Sequence, residues 1–561
     1  MVGIRLLVMM LAVLLVTAAP AEAQKKKRKK PPKPVTVQLL AINDFHGYLK
    51  ANPPGRVSRS GNPDATVPAG GIEYLATQIR NLKRRNANTL VVAAGDLVGG
   101  SPLLSSLFHD EPSIEAMNQL PLDIATVGNH EFDEGAAELL RLQRGGCHPV
   151  DGCRDGTPFE GAKFRYLAAN VEFRGTHKTI FPPYTIRKIG GVRIGFIGET
   201  LKGTPDLIPP QFASKLRFRD EALIANRMAR RLKKRGVKAI VMLLHEGGFP
   251  VRDDAPIDSC PGLSGPLESI VRQTSDDIDL FITGHTHQIY NCVVDGRRVT
   301  SAGRYGRLLT RLELKINRRT RDIVKTSADN WVVGQDVTPA ADMTSLIAHY
   351  DAIAAPIASK VIGRLVRGAG RTRDRSGEYR LGNMVADAQV ESTGSAAAFV
   401  NPHIVRTGLP AGEITYGRAF TSLPFGSSLV TQSMTGGQIR ELLKQQWCGR
   451  KNPEILQVSS SVAYTWSRSK AKAALGKPCS SDTDPITELT IRGNPVRSYQ
   501  AFRVTVNTTM LGRGAQFSVL HTGTGPTGGP VDVDSFQDYL EPSVAGAPIV
   551  PPRLSRISVV P

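Results

Sequence analysis

Short apolar runs alternate with stretches of helical spacing from Val35 to about Val333. The helical stretches include Gly71 to Arg85 and Asp220 to Arg235. Alternation of buried strands with amphipathic helices is typical of α/β layering. We therefore predict one large α/β domain over residues 35–335.

The next stretch reads as a single helix. Apolar side chains recur there at helical spacing: Met343, Ile347, Tyr350 and Ile353. We predict a linking helix within residues 336–362, interrupted by Pro356 because proline lacks the backbone N–H that the helix needs.

From Gly363 the pattern changes to mixed helices and strands. EYRLGNMVADAQVEST has helical spacing, whereas TELTIRG and YQAFRVTVNT have strand character. We predict a second domain of α+β type over residues 363–561.

The first 34 residues have the features of an export signal followed by a basic tail. One Arg5 precedes fourteen apolar residues from Leu6 to Ala19, and Ala21-Glu22-Ala23 has the small-x-small form of a cleavage site. A membrane-spanning helix needs about 20 apolar residues. Residues 1–23 therefore predict a signal peptide and residues 24–34 a basic disordered tail. The location expected is secreted, periplasmic or associated with the cell envelope.

Composition and charge narrow the class of protein. The 561 residues are 41% hydrophobic and 22% charged, which excludes wholesale disorder, collagen and coiled coil. The formal net charge of +21 favours anionic partners such as phosphorylated substrates. We expect a small-molecule phosphoester and no specific nucleic acid. The basic tail could make at most weak contact with an anionic envelope.

Six cysteines follow the predicted signal peptide. An even number in an exported chain suggests three disulfides, although six cysteines allow 15 pairings. We expect sequence neighbours to pair: Cys147 with Cys153, Cys260 with Cys292, and Cys448 with Cys479. Their spacing is not that of a zinc finger.

Five apolar runs of strand character end in polar residues that can bind metal. In open α/β sheets, sites form at the carboxyl ends of strands, so these side chains should meet along one edge. The candidate ligands are Asp44, His46, Asp96, Asn129, His245, His285 and His287.

The spacing of these ligands suggests two sites. Asp44 and His46 are two residues apart, as are His285 and His287, and on an extended segment both members of a pair point the same way. Asp96 can bridge two cations through its two oxygens. Mixed nitrogen and oxygen ligands without thiolate suit Zn, Mn, Fe or Co better than Ca.

Five strings identify a family resemblance: INDFHG, AAGDLVGGSP, VGNHEFDEG, LLHEGG and TGHTHQ. They resemble the calcineurin-like metallophosphoesterases, specifically the secreted bacterial 5′-nucleotidase and UDP-sugar hydrolase family. The resemblance extends from about residue 35 to the closing VDVDSFQDYLEP. It implies an N-terminal four-layer β-sandwich flanked by helices, a linking helix, and a C-terminal α+β domain that binds substrate.

The resemblance also implies roles for the N-terminal candidates. One metal ion would be held by Asp44, His46, Asp96 and His287, and a second by Asp96, Asn129, His245 and His285. His130, oriented by Asp133, would act on the phosphoryl group or the leaving oxygen. Such a site would hydrolyse phosphoesters by a two-metal mechanism.

In the C-terminal domain the resemblance implies a substrate site. Three arginines that would face phosphate or carboxylate match Arg371, Arg375 and Arg406, the last through a segment that begins at Asn401. Phe425 matches one of two aromatic residues that clamp a nucleobase, and Ser427 stands where the family has Asn.

Three further parts of the family pattern differ in this chain. A Gly-Gly pair is replaced by His403 and Ile404, and the second aromatic position falls near Met510. The GGDG string reads Arg513 to Gln516, so Ala515 replaces the aspartate that binds ribose. Phosphoryl chemistry is thus better supported than nucleoside recognition.

The sequence favours a 5′-nucleotidase and leaves alternatives open. The same chemistry could serve a 2′,3′-cyclic nucleotide, a UDP-sugar or a non-nucleotide phosphoester. A non-catalytic envelope-binding protein is a further alternative, against which the intact ligand set and the His130–Asp133 pair argue.

Overall fold

The computed structural model describes residues 33–252, 254–480, 483–512 and 517–561. The predicted signal peptide, nearly all of the basic tail, and Arg513 to Gln516 lie outside the described residues. Within the described ranges, none of the helices combines the length and apolar character needed to cross a bilayer.

Two six-stranded sheets form the centre of the N-terminal part. The first contains, in spatial order, Ile323–Val332, Leu308–Ile316, Val35–Ile42, Thr89–Ala94, Ile124–Thr126 and Arg165–Leu167. The second contains Ile289–Val294, Arg297–Ala302, Leu280–Thr283, Ala239–His245, Val192–Thr200 and Tyr184–Ile189. In each sheet four neighbouring strands run parallel. Antiparallel pairing adds two strands at one edge of the first sheet and one strand at each edge of the second.

Alternation along the strands builds the layers. In Val35–Ile42, Val37, Leu39 and Ala41 pack between the two sheets, whereas Leu40 and Ile42 face the helices on the other side. Odd and even residues of such a strand are both buried, one set on each face of the sheet. The strand therefore appears in the sequence as a continuous apolar run. The predicted four-layer sandwich is confirmed.

Helices cover the outer faces of both sheets. The longer ones before the second domain are Ile72–Arg85, Glu111–Gln119, Gly135–Arg144, Glu221–Lys234, Pro266–Gln273 and Ala341–Ser359. Small two-stranded sheets pair Gly55–Ser58 with Thr66–Ala69, Val171–Phe173 with Leu216–Phe218, and Phe249–Pro250 with Leu263–Ser264. Leu103–Ser106 and Pro210–Ala213 are single helical turns.

The linking helix differs from the prediction in one respect. It runs from Ala341 to Ser359 and includes Pro356, which was expected to interrupt it. Pro356 is exposed in the last turn, where the carbonyl it leaves unpaired can bond to water. Met343 and Tyr350 are fully buried against the first helical layer.

The C-terminal part contains two smaller sheets. A five-stranded sheet has the order Gln457–Val458, Ala397–Val400, Ala501–Asn507, Ser428–Thr435 and Thr524–Val531. A four-stranded sheet has the order Asn494–Pro495, Ile486–Ile491, Val462–Ser467 and Ile557–Val560. Val361–Leu365 pairs with Gly412–Thr415. The helices are Arg380–Thr393, Tyr416–Ser422, Gly436–Lys444, Arg468–Ala474, Thr508–Leu511, Asp532–Leu540 and Pro542–Ala545.

The three disulfides join the predicted sequence neighbours: Cys147 with Cys153, Cys260 with Cys292, and Cys448 with Cys479. Each bond ties a loop to its own vicinity in the chain, and none links the two domains. The expected pairing is therefore confirmed.

Candidate metal centre

The candidate ligands come from both sheets. Asp44 and Asp96 follow strands of the first sheet, whereas His245 ends a strand of the second and His285 follows another. The prediction that all ligands lie along the edge of one sheet is thus wrong. They lie at the same end of two sheets that face each other. The backbone N–H of His285 donates to both carboxylate oxygens of Asp44 at 3.0 and 3.1 Å, which connects the two sheets at this point.

The turns that carry the ligands are left-handed. The φ angles are 48° at Asp44, 50° at His46, 50° at Asp96, 68° at His285 and 58° at His287. The expected extended geometry of the two residue pairs is therefore wrong. Side chains converge here because the chain turns sharply after each strand, in a conformation that Asp and His tolerate better than most residues do.

The first cluster contains Asp44, His46 and His287. Nε2 of His46 lies 3.1 Å from Nε2 of His287, which in turn lies 3.4 Å from Oδ1 of Asp44. Nδ1 of His46 lies 2.7 Å from the carbonyl oxygen of Gly99 and can donate to it. That bond directs Nε2 toward the cluster as the ligand nitrogen.

The second cluster contains Asp96, His245 and His285, with Asn129 beside it. Nε2 of His245 lies 3.0 Å from Oδ2 of Asp96, and Nδ1 of His285 lies 2.9 Å from Oδ1 of Asn129. Nδ1 of His245 can donate to the carbonyl oxygen of Ala94 at 2.7 Å, which again leaves Nε2 as the free nitrogen.

Asp96 lies between the two clusters. Its Oδ2 is 3.0 Å from Nε2 of His245 and 3.7 Å from Nε2 of His46. Ligand atoms within each cluster lie within 4.8 Å of one another. The structure therefore brings all seven predicted ligands to one end of the sandwich.

The chemistry of the buried groups fits divalent cations. Nε2 of His245 is fully buried and makes no well-formed hydrogen bond within the described residues. Burial lowers the pKa of His46 to about 3 and that of His285 to about 4, which favours neutral imidazoles that offer lone pairs. Burial alone would also lower the pKa of His245, but Asp96 raises it to about 9. A cation bound between His245 and Asp96 would displace that proton. Burial alone would raise the pKa of Asp96, but His245 and His130 hold it well below its usual range.

His130 lies beside the clusters, and one of its ring nitrogens is within 4.8 Å of ligand atoms of His46 and Asp96. Its backbone N–H donates to Oδ1 of Asp96 at 2.9 Å, and its Nδ1 lies 2.7 Å from Oδ2 of Asp133. Burial alone would lower the pKa of His130, but the carboxylates of Asp133 and Asp96 raise it to about 10. These carboxylates thus favour the protonated imidazole, which can donate to an anionic oxygen.

Two C-terminal candidates approach His130. Phe425 and Ser427 line a cavity of about 60 Å³ together with Asn129, His130 and Asp133. A larger cavity of about 380 Å³ adjoins His130 and Asp133 and is also lined by residues of the C-terminal part, including Tyr416 and Asp534. The second domain thus contributes walls beside the metal centre.

The arginine candidates are brought together in part. The guanidinium of Arg406 stands 5.7 Å from the ring centre of Phe425, and Nη1 of Arg371 donates to the carbonyl oxygen of Arg406 at 2.9 Å. Arg375 is exposed and makes no such contact within the described residues. Asn401 instead accepts a hydrogen bond from the backbone of His403 at 2.8 Å and so closes its own turn.

The residues that depart from the family pattern lie in different environments. Met510 is 1% exposed and packs in the core of the C-terminal part, so it does not offer a face to a base. His403 is largely exposed, whereas Ile404 is buried. Ala515 lies outside the described residues.

Sequence reasoning missed two features of this centre. Glu131 accepts hydrogen bonds from the backbone N–H groups of Asp96 at 3.0 Å and Leu97 at 2.9 Å, and also from Gly128. Its place inside VGNHEFDEG could have identified it. Arg304 and Tyr305 follow another strand end beside His287, but no motif marks them.

Comparisons with known proteins agree with this architecture. The model of the calcineurin-like phosphoesterases matches residues 37–289, and the model of the 5′-nucleotidase C-terminal domain matches residues 356–522. The 5′-nucleotidase precursor from Thermus thermophilus shares the fold, with a TM-score of 0.63 and 22% identity over 94% of this chain and 99% of that one.

Two curated relatives match most of this chain. Endonuclease YhcR of Bacillus subtilis (strain 168) is 30% identical over 510 residues, which are 90% of this chain and 40% of the relative. The cell wall protein Lmo0130 of Listeria monocytogenes serovar 1/2a is 28% identical over 554 residues, which are 92% of this chain and 68% of the relative. The chain thus spans less than half of the Bacillus protein.

Proposed function

Because the chain belongs to the calcineurin-like phosphoesterases that carry a 5′-nucleotidase C-terminal domain, we propose that it is a metal-dependent phosphoester hydrolase. In finer detail, we propose a 5′-nucleotidase that releases phosphate from nucleoside monophosphates and uses two divalent cations. The position of Asp96 between two histidine clusters, with His130 beside them, carries this proposal.

We assign the candidate ligands to two cation sites. Asp44, His46, Asp96 and His287 would hold one cation, and Asp96, Asn129, His245 and His285 the other. Zn, Mn, Co and Fe all suit this donor set. When bound, a pair of such cations lowers the pKa of a water molecule and neutralises phosphoryl oxygens.

His130 would act on the substrate. Its Nε2 is free because Nδ1 bonds Asp133, and its positive charge suits a phosphoryl oxygen or a departing alkoxide. Phe425, Ser427 and Arg406 would hold the rest of the substrate, with Arg371 positioned behind Arg406. Forked guanidinium groups suit phosphate and carboxylate oxygens.

An extracytoplasmic location is part of the proposal. Three disulfides favour an oxidising compartment, since such bonds are rare where thiols are kept reduced. The predicted signal peptide agrees with this.

Phosphate release from nucleoside 5′-monophosphates tests the activity directly. We expect hydrolysis that chelation abolishes and that Zn, Mn, Co or Fe restores. Asp96→Asn should lose most of the activity and part of the bound metal, because the amide cannot supply two anionic oxygens. An active, verified metal-free enzyme would refute the proposal.

A further inference from the structure

The turn between the strands Arg297–Ala302 and Leu308–Ile316 lies at the same end of the sandwich as the metal ligands. The backbone N–H of Tyr305 donates to the carbonyl oxygen of Asp44 at 2.7 Å. Tyr305 has a φ of 63°, so this turn is held in a left-handed conformation against a ligand-bearing loop. Arg304 and Tyr305 are therefore placed beside His287 of the first cluster, and the side chain of Arg307 lies next to Gly55 and Gly70.

Two arginines of this turn share one aromatic ring. The guanidinium carbons of Arg304 and Arg307 lie 4.9 and 5.2 Å from the ring centre of Tyr305, which stacks on Tyr48 at 3.7 Å. Contact with an aromatic ring fixes a guanidinium and leaves its N–H groups able to bind an anion. We call Arg304, Tyr305 and Arg307 the arginine ledge.

The positive charge of the ledge is not neutralised by the protein. Within the described residues, neither Arg304 nor Arg307 forms an ion pair with a carboxylate, and the guanidinium of Arg307 has no hydrogen-bond acceptor. By contrast, the largely buried Arg141 is paired with both Glu111 and Glu138. Burial and the neighbouring charge of Arg304 lower the pKa of Arg307. Arg304 is exposed and Arg307 is half-buried, and an anion bound beside them would reduce the repulsion between their charges.

The ledge reaches the metal centre through His287. Nη1 of Arg304 lies 3.2 Å from Nδ1 of His287, whose Nε2 faces Asp44. An imidazole that ligates a cation through Nε2 carries its proton on Nδ1 and cannot accept from Arg304. The exposed guanidinium of Arg304 would then bond to water or to a bound anion.

The ledge and the Phe425 cavity approach the centre by different routes. The ring of His46 lies 5.9 Å from that of Tyr305 and 5.0 Å from that of His130. Phe425 lines a cavity with His130 and Asp133, and the ledge does not contribute to it. A substrate held at the centre could therefore extend toward either feature.

We propose that the arginine ledge binds a second phosphate group of the substrate, next to the phosphoryl group that reacts. This inference rests on the proposed function and defines its substrate class further. The second phosphate could be linked to the first as a pyrophosphate or carried elsewhere on the sugar, and both present the same oxygens to the two guanidinium groups.

Binding to the metal-loaded protein tests the ledge at constant ionic strength. Dissociation constants would be measured by calorimetry for non-hydrolysable phosphonate analogues of a nucleoside 5′-monophosphate, the 5′-diphosphate and the 3′,5′-bisphosphate. In Arg304→Ala/Arg307→Ala, we expect the preference for at least one doubly phosphorylated ligand over the monophosphate to fall by at least about tenfold. Loss for the diphosphate alone indicates pyrophosphate linkage, and loss for the bisphosphate alone indicates a sugar-linked phosphate.

A matched control removes the same charge elsewhere. Arg318 and Arg319 are exposed at the opposite end of the first sheet, so Arg318→Ala/Arg319→Ala should leave the preference unchanged. Arg304→Lys/Arg307→Lys should restore part of it, because the charge remains while the fork is lost. Thermal melting verifies that each variant is folded.

Three results would overturn the proposal: equal weakening for all three ligands, no weakening, or the same change in the control. If monophosphates are hydrolysed while the preference stays constant in all variants, only the ledge fails. If the monophosphate is neither bound nor hydrolysed by the metal-loaded wild type, the proposed function itself fails.

Discussion

Nδ1 of His130 lies 2.7 Å from Oδ2 of Asp133, three residues further along the chain. The carboxylate holds the ring of His130, which lines the same cavity as Phe425 and also faces His46 and Asp96. The pair thus links a residue next to the metal clusters with a cavity wall to which the second domain contributes.

His130→Ala should lower turnover of a nucleoside monophosphate by at least about 100-fold, because a positioned proton donor contributes about 10² to 10⁴. Metal content should stay near that of the wild type, since the ring is not assigned as a ligand. Steady-state kinetics and elemental analysis measure the two effects. His177→Ala, at an exposed position, is the control. Loss of metal in the His130 variant would show that the ring is a ligand.

Glu131→Ala should weaken metal binding by about 10- to 100-fold without removing a ligand, as expected for groups that orient ligands. Glu131 holds the backbone N–H groups of Asp96 and Leu97, so its loss frees the loop that carries Asp96. Competition with a chelator measures the affinity. Glu160→Ala removes an exposed carboxylate and should have no effect. An unchanged affinity in the Glu131 variant would mean that the loop holds its shape unaided.

Glu199→Gln should raise the melting temperature relative to the wild type, by more at pH 8 than at pH 5. Burial, with the nearby charges of Glu221 and Asp220, raises the pKa of Glu199 well above its usual range. A carboxyl group with a raised folded-state pKa contributes stability below its unfolded pKa of about 4.3 and loses it as the pH rises through the folded value. Glutamine does not titrate, so it avoids that loss.

Thermal melting at constant ionic strength checks this prediction. Glu391→Gln, at an exposed helical position, should show no such trend. A difference between Glu199→Gln and the wild type that stays constant from pH 5 to pH 8 would refute it.

Removing the Cys260–Cys292 disulfide should cost more stability than removing Cys147–Cys153. The bonded cysteines are 32 and 6 residues apart in sequence. Loop-closure entropy then gives about 3 to 4 kcal/mol for the longer loop and about 2 kcal/mol for the shorter one. Urea unfolding of the two double Cys→Ala variants measures the order, and the reverse order would contradict it.

Discrimination among nucleobases should be weak. Phe425 offers a ring, but Met510 is buried in the core and cannot form the second face of a clamp. We expect adenine, guanine and pyrimidine 5′-monophosphates to differ by less than about tenfold in kcat/KM, which is under about 1.4 kcal/mol. A preference above about a hundredfold for one base would show that other residues build a base pocket.

Strand ends could be predicted from the sequence because apolar runs buried on both faces stop where polar ligands begin. Asp44 and His285 come together because the two sheets pack face to face. The apolar runs in the sequence do not specify that packing. The left-handed turns were missed because periodicity describes regular elements and not the turns that follow them.

Contacts between distant segments were the least predictable. The approach of Phe425 to His130 depends on how the second domain packs, and the position of Arg304 depends on a turn without a motif. The sequence predicts that Pro356 interrupts the linking helix. Composition does not show that Pro356 lies in the exposed last turn, where proline is tolerated.

The left-handed turns at the metal centre lower the stability of the fold but position the candidate ligands. Each non-glycine residue held at positive φ costs about 1 to 3 kcal/mol, and five of the seven candidate ligands are held in this way. Glycine at such a position would relieve the backbone and remove the ligand in a single step. A library of this chain selected only for resistance to heat or protease should therefore accumulate glycine at His285 or His287, whose side chains accept no backbone hydrogen bond within the described residues, and the most durable survivors should be inactive.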